Sequence, residues 1–146
     1  MSVQWIRRDH RLDMLLAVSL DAGANLLVRA KSERQLDEAV SYNLRLWRQI
    51  RETARLRAHW PERDMLIHVA DHVAALLALD ACPCVDPRDI AFVAGRNLSL
   101  AGELAGAAGP ENGRDQFAAE WAEANSSDRF EPWLLDRLAL ALVPSV

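Results

Sequence analysis

The sequence predicts an all-α protein on three observations. Apolar residues recur at three- and four-residue steps over long stretches. Nowhere does a stretch alternate apolar and polar residues as a half-buried strand would, and there is no hairpin signal or fixed-period repeat. The breaks between periodic stretches carry helix-start and helix-stop residues. The expected architecture is a bundle of four main helices over residues 1–109, with a short helical C-terminal extension, residues 110–146, packed on it.

The chain has 146 residues, the size of one ordinary domain that can bury a core without disulfides or metal. With 51% hydrophobic and 26% charged residues, its composition is globular rather than disordered. A net charge of −4 gives no domain-wide basic field for a polyanion. Of the 17 basic residues Lys31 is the only lysine, an excess of arginine that fits either bidentate recognition or coding bias. No apolar run is long enough to span a bilayer, and no cationic start precedes an apolar signal core. Membrane association and secretion are therefore not expected. Cys82 and Cys84 flank Pro83, a spacing ill suited to a structural disulfide and consistent with a reduced, cytoplasmic setting.

Residues 1–8 read as an arm carrying Trp5 and Ile6. From Asp9 to Ala30, Leu12, Leu15, Leu16, Leu20, Leu26, Leu27 and Ala30 share a broad helical face, with Ser19 and Gly23 near its centre. Small residues there allow a close helix approach. Val18 and Val28 lie off that face, which predicts cover on more than one side. Ser32-Glu33-Arg34-Gln35 forms a capping box and starts a second helix that runs to about Ala58. On it Leu36, Val40, Asn43, Trp47, Ile50 and Ala54 fall on one side. That arrangement aims an asparagine at the core, where an unsatisfied amide group costs about 1–3 kcal/mol.

His59-Trp60-Pro61 breaks the second helix, and Pro61 suits the first turn of a third that reaches about Asp80. Its apolar face is Leu66, Val69, Ala70, Val73, Leu76 and Leu77. Asp86-Pro87-Arg88-Asp89 is the clearest helix start in the chain, with Asp at the N-cap and Pro at the first position. The fourth helix continues through Val93, Asn97 and Ala101 to Ala105, where Gly106 and Gly109-Pro110 end it. Asn97 points inward and is the partner expected for Asn43. A short helix is expected from Asp115 to Ala124, presenting Phe117 and Trp121. Glu131-Pro132-Trp133 then opens a last helix carrying Leu134, Leu135, Leu138 and Leu142.

Chemistry has few candidates. His68 and His72 stand four apart on the third helix, a spacing that can hold a metal, with Asp64 and Asp71 nearby. Both project away from the apolar stripe, and no second His/Glu pair waits on another helix. A metal-dependent enzyme is thus the third-ranked reading. Cys82-Pro83-Cys84 lacks the two-residue spacing of redox and zinc motifs and reads as a turn. No nucleophile–base signature or phosphate-binding glycine loop occurs. The expectation is a non-enzymatic protein with no cofactor. Arg48, Arg51 and Arg55 stack along the second helix, with Arg45 and Arg57 beside them. They form either a basic stripe for an acidic helix or a nucleic-acid backbone, or a solvated face partly neutralised by Glu52, and the solvated face is favoured. Trp47, Trp60, Trp121 and Trp133 read as packing anchors.

The run Ala39-Val40-Ser41-Tyr42-Asn43-Leu44-Arg45-Leu46-Trp47 resembles the Ala-Leu-x-x-Asn-x-Arg-Leu-Trp segment of the flagellar biosynthesis regulator family FlaF. Similar pieces follow in the same order: Trp60-Pro61-Glu62 as a helix start, then Asn97, Leu98, Ala101, Leu104 and Gly106 on a later helix. The resemblance spans roughly residues 20–108. It implies a small cytoplasmic helical protein that assists flagellin production and export, with the terminal helices of flagellin as partner and the translational regulator FlbT alongside. On that reading Tyr42, Leu44 and Leu46, near the second and fourth helices, flank a groove for an amphipathic helix, and Arg48, Arg51 and Arg55 contribute to the partner face. Asn43, Trp47 and Asn97 are structural.

Overall fold

Capping chemistry sets where two of the helices begin. In the computed structural model, which describes residues 10–57, 60, 62–77 and 86–142, the chain forms α1 (His10–Arg29), α2 (Glu33–Leu56), α3 (Arg63–Leu77), α4 (Pro87–Ala105), α5 (Gly109–Ala124) and α6 (Phe130–Leu142). One turn of 3-10 helix, Gly106–Ala108, joins α4 to α5. No strand occurs among the described residues. The arm with Trp5 and Ile6, Pro61 and the Cys82-Pro83-Cys84 turn lie outside them.

At the start of α2 the Ser32 hydroxyl accepts from the Gln35 backbone N–H at 3.1 Å, and the Gln35 side chain accepts from the Lys31 backbone N–H at 2.8 Å. At the start of α4 the Asp86 carboxylate accepts from the Arg88 backbone N–H at 2.9 Å. That bond, with the Arg88 guanidinium, holds the Asp86 carboxyl below its ordinary pKa. The α4 stop differs from expectation. Gly106 takes φ +61° and ends α4 as anticipated, but Gly109-Pro110 begins α5 instead of leading into a loop. Pro110 has no N–H to lose at a first-turn position, so it suits a start as well as a stop.

The all-α class holds, but the packing order differs from four helices plus an appendage. Residues Leu15, Leu16, Ala17, Val18, Ser19 and Leu20 are all buried in succession, which requires a helix covered on every side. α2, α4, α5 and α6 each lie along α1, α4 most extensively, whereas α3 packs on α2 and meets α4 only lightly. Val18 is fully buried, while Val28, near the end of α1, is 68% exposed.

The two C-terminal helices complete this cover. Gly113 lets α5 come so close to α1 that a Cβ would strike Met14 and Val18. Phe117, Trp133, Leu134, Leu135, Leu138 and Leu142 enter the core from α5 and α6. Each such side chain contributes about 1.5–3 kcal/mol by leaving water. Trp47 and Trp60 are buried, and half-buried Trp121 donates its indole N–H to the Asp128 carbonyl at 3.0 Å.

Candidate functional site

The centre of the molecule is polar. Asn97 on α4 donates from its amide to the Asn43 side-chain oxygen on α2 at 2.7 Å and to the Leu20 carbonyl on α1 at 3.1 Å. The Asn43 amide donates to the carbonyls of Gly23 and Ala39 at 3.0 and 2.8 Å. The Trp47 indole N–H donates to the Asn97 side-chain oxygen at 2.8 Å. Every N–H of both side-chain amides is therefore used, and both amide oxygens accept. Tyr42 adds a hydroxyl bond to the Ser19 carbonyl at 2.9 Å. Its burial pushes the phenol well above its ordinary pKa, and the negative charge of Glu131 adds to the rise.

Gly23 makes this clamp possible. A Cβ there would sit 2.5 Å from the Asn43 oxygen and 2.8 Å from the Asn97 amide nitrogen. Ser19, Leu20 and Gly23 thus offer α1 carbonyls that already serve the helix and accept a further bond from α2 or α4. The clamp fixes the axial register of three helices. It is wholly buried, so nothing in solution can reach it.

An open groove lies elsewhere, between the C-terminal half of α1, the N-terminal half of α2 and the start of α6. It has two lobes, of about 430 and about 360 Å³, which share Leu26, Glu38, Arg129 and Glu131. The smaller lobe has an apolar floor of Leu26, Pro132, Leu135 and the edge of Tyr42, rimmed by Asp37, Ser41 and Arg45. The larger is more polar, with Asn25, Arg29 and Arg114 on its wall. Arg129 crosses between the lobes, 3.0 Å from Glu38 and 4.0 Å from Glu131. Its bond to Glu38 lowers that carboxyl's pKa against a smaller burial effect. Asp21 is held by Asn25 at 3.1 Å and by Arg114 at 3.0 Å.

One of the expected partner-binding residues is corrected by these positions. Leu46 is fully buried and presents no free surface, whereas Tyr42 is buried with its hydroxyl spent on Ser19 and shows only its ring edge to the smaller lobe. The space expected between the second and fourth helices is filled by Asn43, Trp47 and Asn97. The inward face of α2 is broader than a single stripe, taking in Ala39, Tyr42 and Leu46, because α1, α3 and α6 all pack on this helix. Leu44 is half-buried and lines a furrow of about 240 Å³ between α2 and α3, with Arg48, Arg51 and Asp71.

The arginine row is largely spoken for. Arg51 pairs with Asp71 on α3 at 2.6 Å, Arg45 with Asp136 on α6 at 2.8 Å, and Arg55 with Glu52. Arg57 donates to the Leu142 carbonyl at 3.0 Å. Arg48 is exposed and makes no ion pair among the described residues. His68 and His72 are exposed on α3, and the His72 ring meets Phe92 edge-on at 5.0 Å. No group of three or more metal-capable side chains occurs among the described residues.

Sequence reasoning missed Leu26, Arg129, Pro132 and Leu135 as a set. Leu26 lies more than 100 residues from the other three, and only the return of α6 to α1 joins them. The fold and groove together define a helical chain built around one central helix and open at one end. No family model, curated protein or solved structure matches the chain. No helix among the described residues is long and apolar enough to cross a membrane.

Proposed function

We propose that this chain is a non-enzymatic helix-binding protein that acts in flagellum assembly as a cytoplasmic chaperone. Its α1–α2–α6 groove receives an amphipathic helix from the end of flagellin. The observation that carries this reading is the smaller lobe, where an apolar floor of Leu26, Pro132 and Leu135 is framed by charges of both signs. An amphipathic helix recognises such a site by laying its apolar side on the floor and its polar flanks on the rim. The resemblance of Ala39–Trp47 to the FlaF segment supports flagellin as the partner and FlbT as a second one. Sequestering a terminal helix would keep flagellin from polymerising before export.

Isothermal titration of the full chain with synthetic flagellin terminal helices tests this. Binding is expected for the native chain and loss of binding for Ser41→Trp, which fills the lobe from an exposed position on α2. No binding by the native chain would sink the proposal. The competing reading, direct contact with flagellin message through the α2 arginines, draws less support because Arg45, Arg51 and Arg55 are already paired with carboxylates. A filter-binding salt series separates the two: message binding falls steeply with salt, and docking in an apolar groove does not.

A further inference from the structure

The groove between α1, α2 and α6 is electrically polarised. Arg29, Arg114 and Arg129 line its larger lobe against the carboxylates of Glu38 and Glu131, an excess of one positive charge. In the smaller lobe Asp37 joins the same two glutamates against Arg45 and Arg129, an excess of one negative charge. Most of these groups are paired within the chain. Arg114 is held by Asp21 at 3.0 Å, Arg45 by Asp136 at 2.8 Å and Arg129 by Glu38 at 3.0 Å, and Glu131 stands 4.0 Å from Arg129. Two are not. Arg29 in the larger lobe and Asp37 in the smaller are exposed, and neither side chain makes an ion pair or hydrogen bond among the described residues.

An α-helix carries a polarity that this groove can read. Its first N–H groups and last C=O groups lack partners, leaving partial positive charge at the N-terminus and partial negative charge at the C-terminus. A helix lying across both lobes therefore matches the groove in one direction, with its first turn beside Asp37 and its last beside Arg29. The match is strongest where the partner chain itself stops. A terminal carboxylate adds a full negative charge, and the Arg29 guanidinium can offer it two parallel N–H donors. Arg29 also complements the C-terminal end of α1, which uses its charge but none of those donors. The floor of Leu26, Pro132 and Leu135 in the smaller lobe takes the apolar body of the helix.

We infer that the occupant of the groove is the helix that ends a partner chain, lying with its first turn over Asp37 and its terminal carboxylate on Arg29. The inference rests on the helix-binding role proposed above and adds the direction of the bound helix and the group that fixes it. Isothermal titration of the full chain with both flagellin terminal helices tests it, the C-terminal one made with a free and with an amidated end. The native chain is expected to bind the free acid about three- to tenfold more tightly than the amide. Arg29→Gln, at an exposed position, should bind both forms alike, at the native affinity for the amide. Asp37→Asn should weaken both forms equally, by about two- to fivefold. Circular dichroism of each variant should match the native chain. Binding of neither terminal helix by the native chain overturns the helix-binding role and the inference with it. Binding of the N-terminal helix alone, affinity that ignores the C-terminal charge, or a preference that survives Arg29→Gln overturns the inference by itself.

Discussion

The two faces of α2 place polar groups by different rules. Inward, Asn43 and Tyr42 each have a fixed partner on α1, and Asn43 a further one on α4. Outward, Arg45, Arg51 and Arg55 reach whichever carboxylate the neighbouring surface offers. A buried amide left unpaired pays its full desolvation cost, so its geometry must be met by the whole core. An exposed guanidinium exchanges water for a carboxylate at little net gain. The inner face therefore specifies how the helices dock, and the outer face contributes little to whether they do.

Asn97→Leu should break this contrast most severely. It leaves the Trp47 indole N–H and the Asn43 side-chain oxygen buried without partners. At about 1–3 kcal/mol for each, the expected loss is about 2–6 kcal/mol, read as a lower urea midpoint at unchanged slope. A loss under 1 kcal/mol would mean that water reaches the clamp. Next comes Gly23→Ala. In an ordinary helix interior this change stabilises by about 0.5–1 kcal/mol. Here the new Cβ meets the Asn43 oxygen at 2.5 Å, so the sign should reverse, with a loss of about 1–3 kcal/mol. A stabilised variant would show that the clamp can shift.

Tyr42→Phe removes one hydroxyl bond and should cost about 0.5–1.5 kcal/mol, because the Ser19 carbonyl remains in its helix. The same residue supplies a pH test. Its folded pKa is raised, so the stability gained from the neutral phenol is complete below the unfolded value of about 10 and is lost as pH climbs toward the folded one. Tyr42 is the only tyrosine, so phenolate absorbance reports it alone. The signal should appear only as the fold gives way. A normal titration near pH 10 with the helices intact would contradict the burial.

The smallest effect belongs to Arg51→Ala. Both partners of the Arg51–Asp71 pair are substantially exposed, and the loss should be at most about 1 kcal/mol and fade with added salt. A larger, salt-insensitive loss would place Arg51 with the inner face instead.

Much of the core could be read before the fold was seen. Helical period aimed Asn43 and Asn97 inward, and the cost of an unpaired amide made each the natural partner of the other. Ser32 and Asp86 marked helix starts because their side chains answer backbone donors a few residues away. The groove was another matter. Tyr42 and Leu46 read as flanking the core because period alone cannot say how many neighbours a helix has. Arg45 and Arg51 read as part of a solvated row, and their pairing with Asp136 and Asp71 stayed hidden because those carboxylates are distant in sequence.

What the sequence by itself determined is therefore local: helix content, helix starts, and the polar residues that had to meet inside. These follow from interactions within a few turns, or from a desolvation cost that holds in any fold. Only the tertiary structure decided that α1 is the central helix, that α5 and α6 complete its cover, and that Leu26, Arg129 and Leu135 share an open groove. Those facts depend on how α6 returns to α1, and burial of apolar surface favours such a return without directing it.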